Sequence, residues 1–243
     1  MPDPLAALAA LEGVPSAVVS SLAAVDAVLR DRGLRAVSAQ QSASALLAGA
    51  RASADLTEEP ARWRPGAVRL STELVGLSTL VRSSPAQAIA RAHALAAHGQ
   101  VPDTELGRLS GTPEVSARMA GLSALLSQRT SAPALVLAAV AHAEIASLSP
   151  FGSADGVVAR AVEHMVLISC AVDPRAVLVP EAGHLALRTA YLDALTGYSV
   201  GSVPAVRDWI LHCARALAHG AEVSPVARRR EEPVLPQGSE EQA

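Results

Sequence analysis

The chain has 243 residues, half of them hydrophobic, and its 20 basic and 23 acidic side chains give a formal net charge of −3. This length suffices for one buried core, and the slight acidity argues against nucleic-acid binding, which needs a basic surface. All basic residues are arginine, and neither lysine nor asparagine occurs, which is typical of a GC-rich bacterial genome. Sites that depend on a lysine, such as a P-loop or a Schiff base, are therefore excluded.

Cysteine usage and hydropathy exclude further classes. Cys170 and Cys213 are too few for a disulfide framework or a zinc site. The N-terminus has neither the basic start nor the apolar stretch of a secretion signal. The longest apolar run, residues 134–141, is shorter than the ~20 residues that span a bilayer. We therefore expect a cytoplasmic protein without membrane contact.

The N-terminal region, residues 1–84, is predicted to be helical, because alanine and leucine are strong helix formers. Residues 1–15 carry three prolines and are expected to be loosely ordered. A connector is expected at 57–68, where Pro60 and Pro65 interrupt the helical pattern. The predicted helices of this region are 14–34, ending near Gly33, then 40–54 and 70–81.

The core region is predicted to cover residues 85–219 and to begin at Ser84 and Pro85, a typical helix start. Residues 100–113 are rich in proline and glycine, and a short β-hairpin flap is expected there. A charge run and three prolines indicate a disordered tail over 220–243. The predicted core helices are 85–98, 114–128, 133–148, 156–172, 180–196 and 204–219. The expected class is an all-α bundle.

The segment between the two most apolar predicted helices is the strongest candidate site. Residues 149–160 read SPFGSADGVVAR and contain the only phenylalanine of the chain. Gly152 and Gly156 permit positive φ, and successive backbone N–H groups at a helix N-terminus bind anions. Arg160, one turn into the helix, would add a cation. The segment predicts a phosphate cradle; the alternative is a capped helix–helix turn with Arg160 paired to Glu163.

This segment resembles the signature of the Fic family, also called Fido, His-Pro-Phe-x-(Asp/Glu)-Gly-Asn-Gly-Arg-x-x-Arg. The match has no gap and includes Pro150, Phe151, Gly156 and Arg160. The flanking helices are similar as well, over about residues 85–219. Members of the family are all-α, and most transfer AMP from ATP to a hydroxyl group of a target protein. The resemblance therefore implies a Fic-like helical bundle.

The resemblance also extends outside the motif. Many Fic proteins carry an inhibitory helix with the pattern (Ser/Thr)-x-x-x-Glu-(Gly/Asn), and Ser44, Ala48 and Gly49 are similar to it, with Ala48 at the glutamate position. In the family that glutamate pairs with the second motif arginine, here Arg160, and blocks productive ATP binding. The alternative is a chance match in an alanine-rich helix. His142 aligns with a family histidine outside the catalytic motif, which implies a packing or polar-network residue.

Three requirements of the family's reaction, the base, the metal ligand and the phosphate clamp, are not met by the residues at the motif positions. Ser149 stands at the catalytic histidine, which accepts the proton of the target hydroxyl, and a serine is not a base at neutral pH. Ser153 stands at the metal-binding carboxylate and is a poorer Mg²⁺ ligand. Asp155 replaces the asparagine that helps to bind the α-phosphate, and a carboxylate repels phosphate. Val157 stands at the first arginine.

These substitutions predict a Fic-like protein that is catalytically inactive, has no metal ligand and binds or regulates an unknown protein partner. One alternative is an unorthodox nucleotidyl or phosphoryl transferase in which Asp155 binds a metal and Arg160 the phosphate. Another is a structural homo-oligomer, suggested by the positive mean hydropathy. If the loop is competent, ATP and Mg²⁺ would be its cofactors. The nucleotide-binding residues would then be Phe151, Gly152, Ser153, Asp155, Gly156 and Arg160.

Overall fold

The computed structural model describes residues 3–30 and 37–227. In these ranges the protein is all-α, with one short 3₁₀ turn at 103–105 and one isolated β-bridge between His98 and Val101. No helix among the described residues is long and apolar enough to cross a membrane. The helices are α1 (Pro4–Ala9), α2 (Val14–Arg30), α3 (Ala39–Asp55), α4 (Pro60–Ser78), α5 (Pro85–Ala97), α6 (Pro113–Ser127), α7 (Ala134–Leu148), α8 (Asp155–Ser169), α9 (Pro180–Ala186), α10 (Arg188–Val200) and α11 (Val203–Glu222).

The centre of the bundle is formed by α7 and α8, which pack along each other. In α7 apolar residues lie on all sides, so the whole helix from Leu135 to Ala143 is buried, as expected for a helix without a polar face. Small residues bring the outer helices close. A Cβ atom at Gly183 of α9 would lie 1.9 Å from the carbonyl oxygen of Ala216 in α11. This contact places the polar side chains of α9 inside the core.

The N-terminus is more ordered than its prolines suggested. Residues 4–9 form α1, which Asp3 caps by accepting the backbone N–H of Leu5 at 3.1 Å. The same carboxylate accepts the hydroxyl of Thr130 at 2.8 Å, so the segment is attached to the core. The prediction of loose order for residues 1–15 is wrong over the described part. The expected helix end near Gly33 lies outside the described residues.

The expected connector at 57–68 is instead the first half of α4. Pro60 occupies the first helical position, where its missing N–H costs nothing. Pro65 lies inside the helix and removes one backbone hydrogen bond. Burial of Trp63 and Leu70 on the same helix offsets that loss, since tertiary packing overrides local propensity.

The predicted hairpin at 100–113 does not form. These residues are all described, and they contain the 3₁₀ turn and half of the single bridge in place of paired strands. Pro102 cannot donate to a strand ladder. The segment is held by contacts to the candidate loop: the N–H of Ser110 donates to the carbonyl of Pro150 at 2.8 Å.

Two boundaries near the C-terminus also differ from the predictions. The expected helix over 180–196 is two helices that meet at Leu187. The tail was expected from 220, but α11 extends to Glu222, and the Ser224 hydroxyl donates to the carbonyl of Val177 at 2.7 Å. Val226 is also buried, so the chain stays packed past the predicted boundary. The rest of the predicted tail, from residue 228, lies outside the described residues.

Candidate functional site

The loop between α7 and α8 has an unusual backbone. Ser149, which ends α7, has φ of +47°, and Ala154, which precedes α8, has φ of +53°. Non-glycine residues in this left-handed region are strained by about 1 kcal/mol. Ala154 occupies the position of the first glycine in the motif that the segment resembles. The backbone therefore has the conformation that a glycine would favour, with an alanine in place.

The carboxylate of Asp155 lies against the backbone of its own loop. Its Oδ1 accepts the N–H of Phe151 at 2.9 Å, and the side chain is buried. Burial raises the pKa of Asp155 to about 6, although the backbone N–H groups of Phe151, Gly152 and Ser153 act in the opposite direction. The carboxylate of Asp155 therefore lies where the sequence predicted a phosphate cradle.

Ser153 is bound by a histidine from α5. His93 Nδ1 accepts the N–H of Gly107 at 2.9 Å, so its proton is on Nε2, which donates to Ser153 Oγ at 3.0 Å. The His93 ring also stacks on Phe151, with centroids 4.1 Å apart, and burial lowers the pKa of His93. This tautomer cannot accept the Ser153 proton. His93 therefore fixes the loop, a role with no signal in its helical sequence context.

Ser149 lies at the rim of an open pocket of about 370 Å³. Its hydroxyl is exposed and donates to the carbonyl of Ala146 at 3.3 Å. The opposite wall is the start of α4, where Arg62 pairs with Glu59 at 3.0 Å and covers the ring of Trp63 at 4.6 Å. The pocket is thus acidic, because its one arginine is already paired. Its lining residues are Glu58, Glu59, Arg62, Trp63, Ser149, Gly152, Ser153, Ala154 and Asp155.

Arg160 lies beneath the loop and does not point into the pocket mouth. The side chain is 2% exposed. Its Nε and Nη2 donate to the hydroxyl and carbonyl of Ser53 at 2.9 and 2.8 Å, and its Nη1 donates to the Tyr191 hydroxyl at 3.0 Å. Gly156 packs on the guanidinium, since a Cβ there would lie 3.3 Å from Nη1. These contacts replace the alternative pairing of Arg160 with Glu163.

Helix α3 contacts Arg160, but not through the residues that resemble an inhibitory motif. Ser44 is exposed and Ala48 is partly buried. Gly49 faces Glu181, because a Cβ at this position would lie 2.7 Å from the Glu181 carboxylate. The contact is made by Ser53, further along the helix.

A chain of buried hydrogen bonds continues from Arg160 through the core. Tyr191 accepts from Arg160, so its hydroxyl donates to His142 Nε2 at 3.1 Å, and His142 Nδ1 then donates to Glu163 Oε2 at 2.5 Å. Burial lowers the pKa of His142 to about 4, which keeps the imidazole neutral, as this direction requires. His142 is thus the polar-network residue that the resemblance implied.

A second branch reaches Glu163 from the other side of the core. His184 Nε2 lies 2.8 Å from Glu163 Oε2, and His184 Nδ1 lies 3.0 Å from His212 Nε2, so the network continues to a third imidazole. Burial lowers the pKa of His212 to about 3. Burial alone would raise the pKa of Glu163, but His184 and His142 hold it well below its usual range. Sequence reasoning missed this branch because its members share no spacing along the chain.

No family model matches the sequence, and no curated protein matches it. The structure is similar to the crystal structure of a Fic family protein from Desulfovibrio desulfuricans G20, with a TM-score of 0.62. The similarity covers 85% of this chain and 73% of that chain, at 16% sequence identity. The chain has a Fic fold. The architecture that the loop resemblance implied is thereby confirmed, and at this identity the similarity concerns the fold alone.

Proposed function

We propose that this Fic-fold protein does not transfer nucleotides and acts as a binding or regulatory module for a protein partner. The observation that carries the proposal is the position of Asp155. Its carboxylate lies on the backbone N–H groups around Phe151, where the motif resemblance would put a phosphate. An incoming phosphate would have to displace this carboxylate and would be repelled by it.

The absence of a suitable base supports the same proposal. AMP transfer in the family needs a group at position 149 that accepts the target's proton, and Ser149 offers a hydroxyl bound to a backbone carbonyl. His93, the histidine that contacts the loop, already holds a proton on the nitrogen that faces Ser153. Neither side chain is prepared to accept a proton from a bound hydroxyl.

The pocket also does not fit ATP and Mg²⁺, the cofactors that the resemblance implies. Ser153 is engaged by His93, and Glu58, a lining residue outside the pair of Arg62 with Glu59, adds negative charge at the mouth. The transferase alternative needs Asp155 and Arg160 to act on one ligand. Arg160 instead binds Ser53 and Tyr191 inside the core, so its charge is not offered to the pocket.

The oligomeric alternative has less support from the surface. The exposed large apolar side chains are distributed over α2, α4, α10, α11 and one loop, and scattered residues of this kind are normal for a monomer. Within residues 3–30 and 37–227 they are Val19, Val75, Leu109, Leu192, Val200 and Val203.

Labelled-nucleotide transfer tests the proposal directly. Incubation with Mg²⁺ and α-³²P-labelled ATP, GTP or UTP, with and without cell lysate, should leave both the protein and the lysate unlabelled. A variant with Ser149→His, Ser153→Asp, Ala154→Gly, Asp155→Asn and Val157→Arg restores the motif and serves as the comparison. Transfer by the natural chain that disappears in the single variant Asp155→Asn would refute the proposal.

The binding role has its own test. A partner recovered with the natural chain should be recovered less by the double variant Glu58→Arg, Glu59→Arg, if the acidic pocket is its contact. Glu73→Arg, an exposed charge reversal elsewhere on α4, is the matched control. Equal recovery by all three proteins would remove the pocket from the proposal.

A further inference from the structure

We propose that His142, Glu163 and His184 form a binding site for a first-row divalent transition ion, with Zn²⁺ as the reference ion. One donor atom from each residue, His142 Nδ1, a Glu163 carboxylate oxygen and His184 Nε2, lies within 4.8 Å of the others. The three side chains come from α7, α8 and α9 and are completely enclosed. Two imidazoles with one carboxylate suit zinc, iron or cobalt rather than magnesium or calcium.

The residues around the three donors already provide the support that metal-binding histidines need. A ligating histidine usually donates its second ring nitrogen to a polar partner, which fixes its orientation. His142 Nε2 lies 3.1 Å from the Tyr191 hydroxyl, and His184 Nδ1 lies 3.0 Å from His212 Nε2. With an ion bound, His142 Nε2 would donate to the Tyr191 hydroxyl and His184 Nδ1 to His212 Nε2. The proton of His212 would then lie on Nδ1, a buried atom without a hydrogen-bond partner, which weakens ion binding.

An unpartnered oxygen provides the second observation. Glu163 Oε1 is buried and has no hydrogen-bond partner, although Oε2 accepts from both histidines. An unsatisfied buried acceptor is costly in a folded protein. A bound ion would give Oε1 a partner and would receive a fourth donor atom from it.

The same geometry sets the expected strength of the site. Donor atoms of one zinc ion, each about 2.0–2.2 Å from the metal, lie roughly 3–3.5 Å apart. The two nitrogens now lie 2.5 and 2.8 Å from Oε2, so the cluster opens slightly on binding. The core already contains the buried charge of Arg160, and a divalent ion adds further positive charge to it. We expect weaker binding than in structural zinc sites and loading during refolding, because the site is enclosed.

A second buried cluster also contains a histidine and two carboxylates, but it is not suited to bind a metal. His164 faces Glu181 at 3.0 Å through Nδ1 and Asp173 at 3.1 Å through Nε2. Burial opposes charge on this ring, but Glu181 and Asp173 raise the pKa of His164 to about 10. This imidazolium carries a proton on each nitrogen and offers a metal no lone pair. His164 therefore forms an ion pair with these carboxylates, in contrast to His142 beside Glu163, whose lowered pKa keeps its imidazole neutral.

The test is to refold the tag-free protein with Co²⁺ and to measure the ion retained after gel filtration. We expect about one Co²⁺ per chain with a visible d–d band, and at least about tenfold weaker binding by Glu163→Gln. His98→Gln, which removes an exposed histidine, should bind as the natural chain does. Retention by the natural chain no greater than by Glu163→Gln would overturn the proposal.

The fluorescence of Trp209 reports on an ion in the proposed site while His142, Glu163 and His184 are all present. Its ring centroid lies 5.0 Å from that of His142 and 6.2 Å from that of His184. In a Trp63→Phe background, Co²⁺ in this site should quench the fluorescence of Trp209, and removal of the ion by a chelator should restore it. Bound Co²⁺ without quenching would place the ion elsewhere and overturn the proposal. This measurement decides the question even if Glu163→Gln fails to fold.

Discussion

Two polar regions lie next to α8: the rim of the pocket and the buried network of the core. They differ in whether a side chain is hydrogen-bonded to the nearby backbone or to other side chains. At the rim, Ser149 and Asp155 take their hydrogen bonds from the adjacent backbone. In the core, Arg160, Glu163 and His184 are linked through intermediate side chains. Water can replace a lost partner at the rim but not in the core. Substitutions in the two regions should therefore have very different consequences.

The largest expected difference separates Glu163 from Ser149. Glu163→Ala removes the acceptor of His142 and His184 and leaves the polar groups of two buried imidazoles without a partner. We expect a loss of about 3–5 kcal/mol in the free energy of unfolding. Ser149→Ala removes one hydrogen bond of an exposed hydroxyl and should change stability by less than about 0.5 kcal/mol. Urea denaturation checks both, and similar losses would show that the two regions do not differ.

A smaller effect on stability is expected at Asp155, which lies between the pocket rim and the buried network. Its folded pKa of about 6 lies above the ordinary value of 3.8, so the folded state holds the proton more tightly. The stabilisation due to this carboxyl is complete below pH 3.8 and is lost as the pH rises through 6. Asp155→Asn, which carries no charge, should therefore stabilise the protein by about 2 kcal/mol at pH 8.

The pH dependence is the control for this prediction. At about pH 5 the gain from Asp155→Asn should shrink, because the natural carboxyl is then largely protonated in the folded state. Urea denaturation at the two pH values measures the difference. A gain that is the same at both would mean that the charge of Asp155 is not the cause.

The smallest expected effect concerns the loop backbone. Ala154 has φ of +53°, and Ala154→Gly relieves this strain at the cost of chain entropy, so we expect a gain of about 0.5 kcal/mol. Ala159→Gly, inside α8 and fully buried, should instead lose at least about 1 kcal/mol. Thermal denaturation of both variants measures the contrast, and a loss in Ala154→Gly would indicate that the backbone there is not strained.

Local signals predicted much of the helical framework. The helix start at Ser84 and Pro85 and the apolar helix before the loop correspond to observed boundaries, whereas α8 ends at Ser169, before the predicted break at Asp173 and Pro174. The errors lie where distant contacts outweighed local preference. Pro65 is inside a helix because α4 is packed on one face, and Leu187 separates α9 from α10 within a stretch that was predicted as one helix.

The residues of the candidate site also fall into two groups, those identified from the sequence and those whose partners are seen only in the structure. Sequence by itself determined the loop, its glycine positions and the residues that stand at Ser149, Ser153 and Asp155, because a short motif is contiguous along the chain. Only the tertiary structure decided that Arg160 is bound beneath the loop by Ser53 and that Glu163 joins two histidines from other helices. These partners are set by how helices far apart in sequence pack together, and no local pattern of residues encodes that packing.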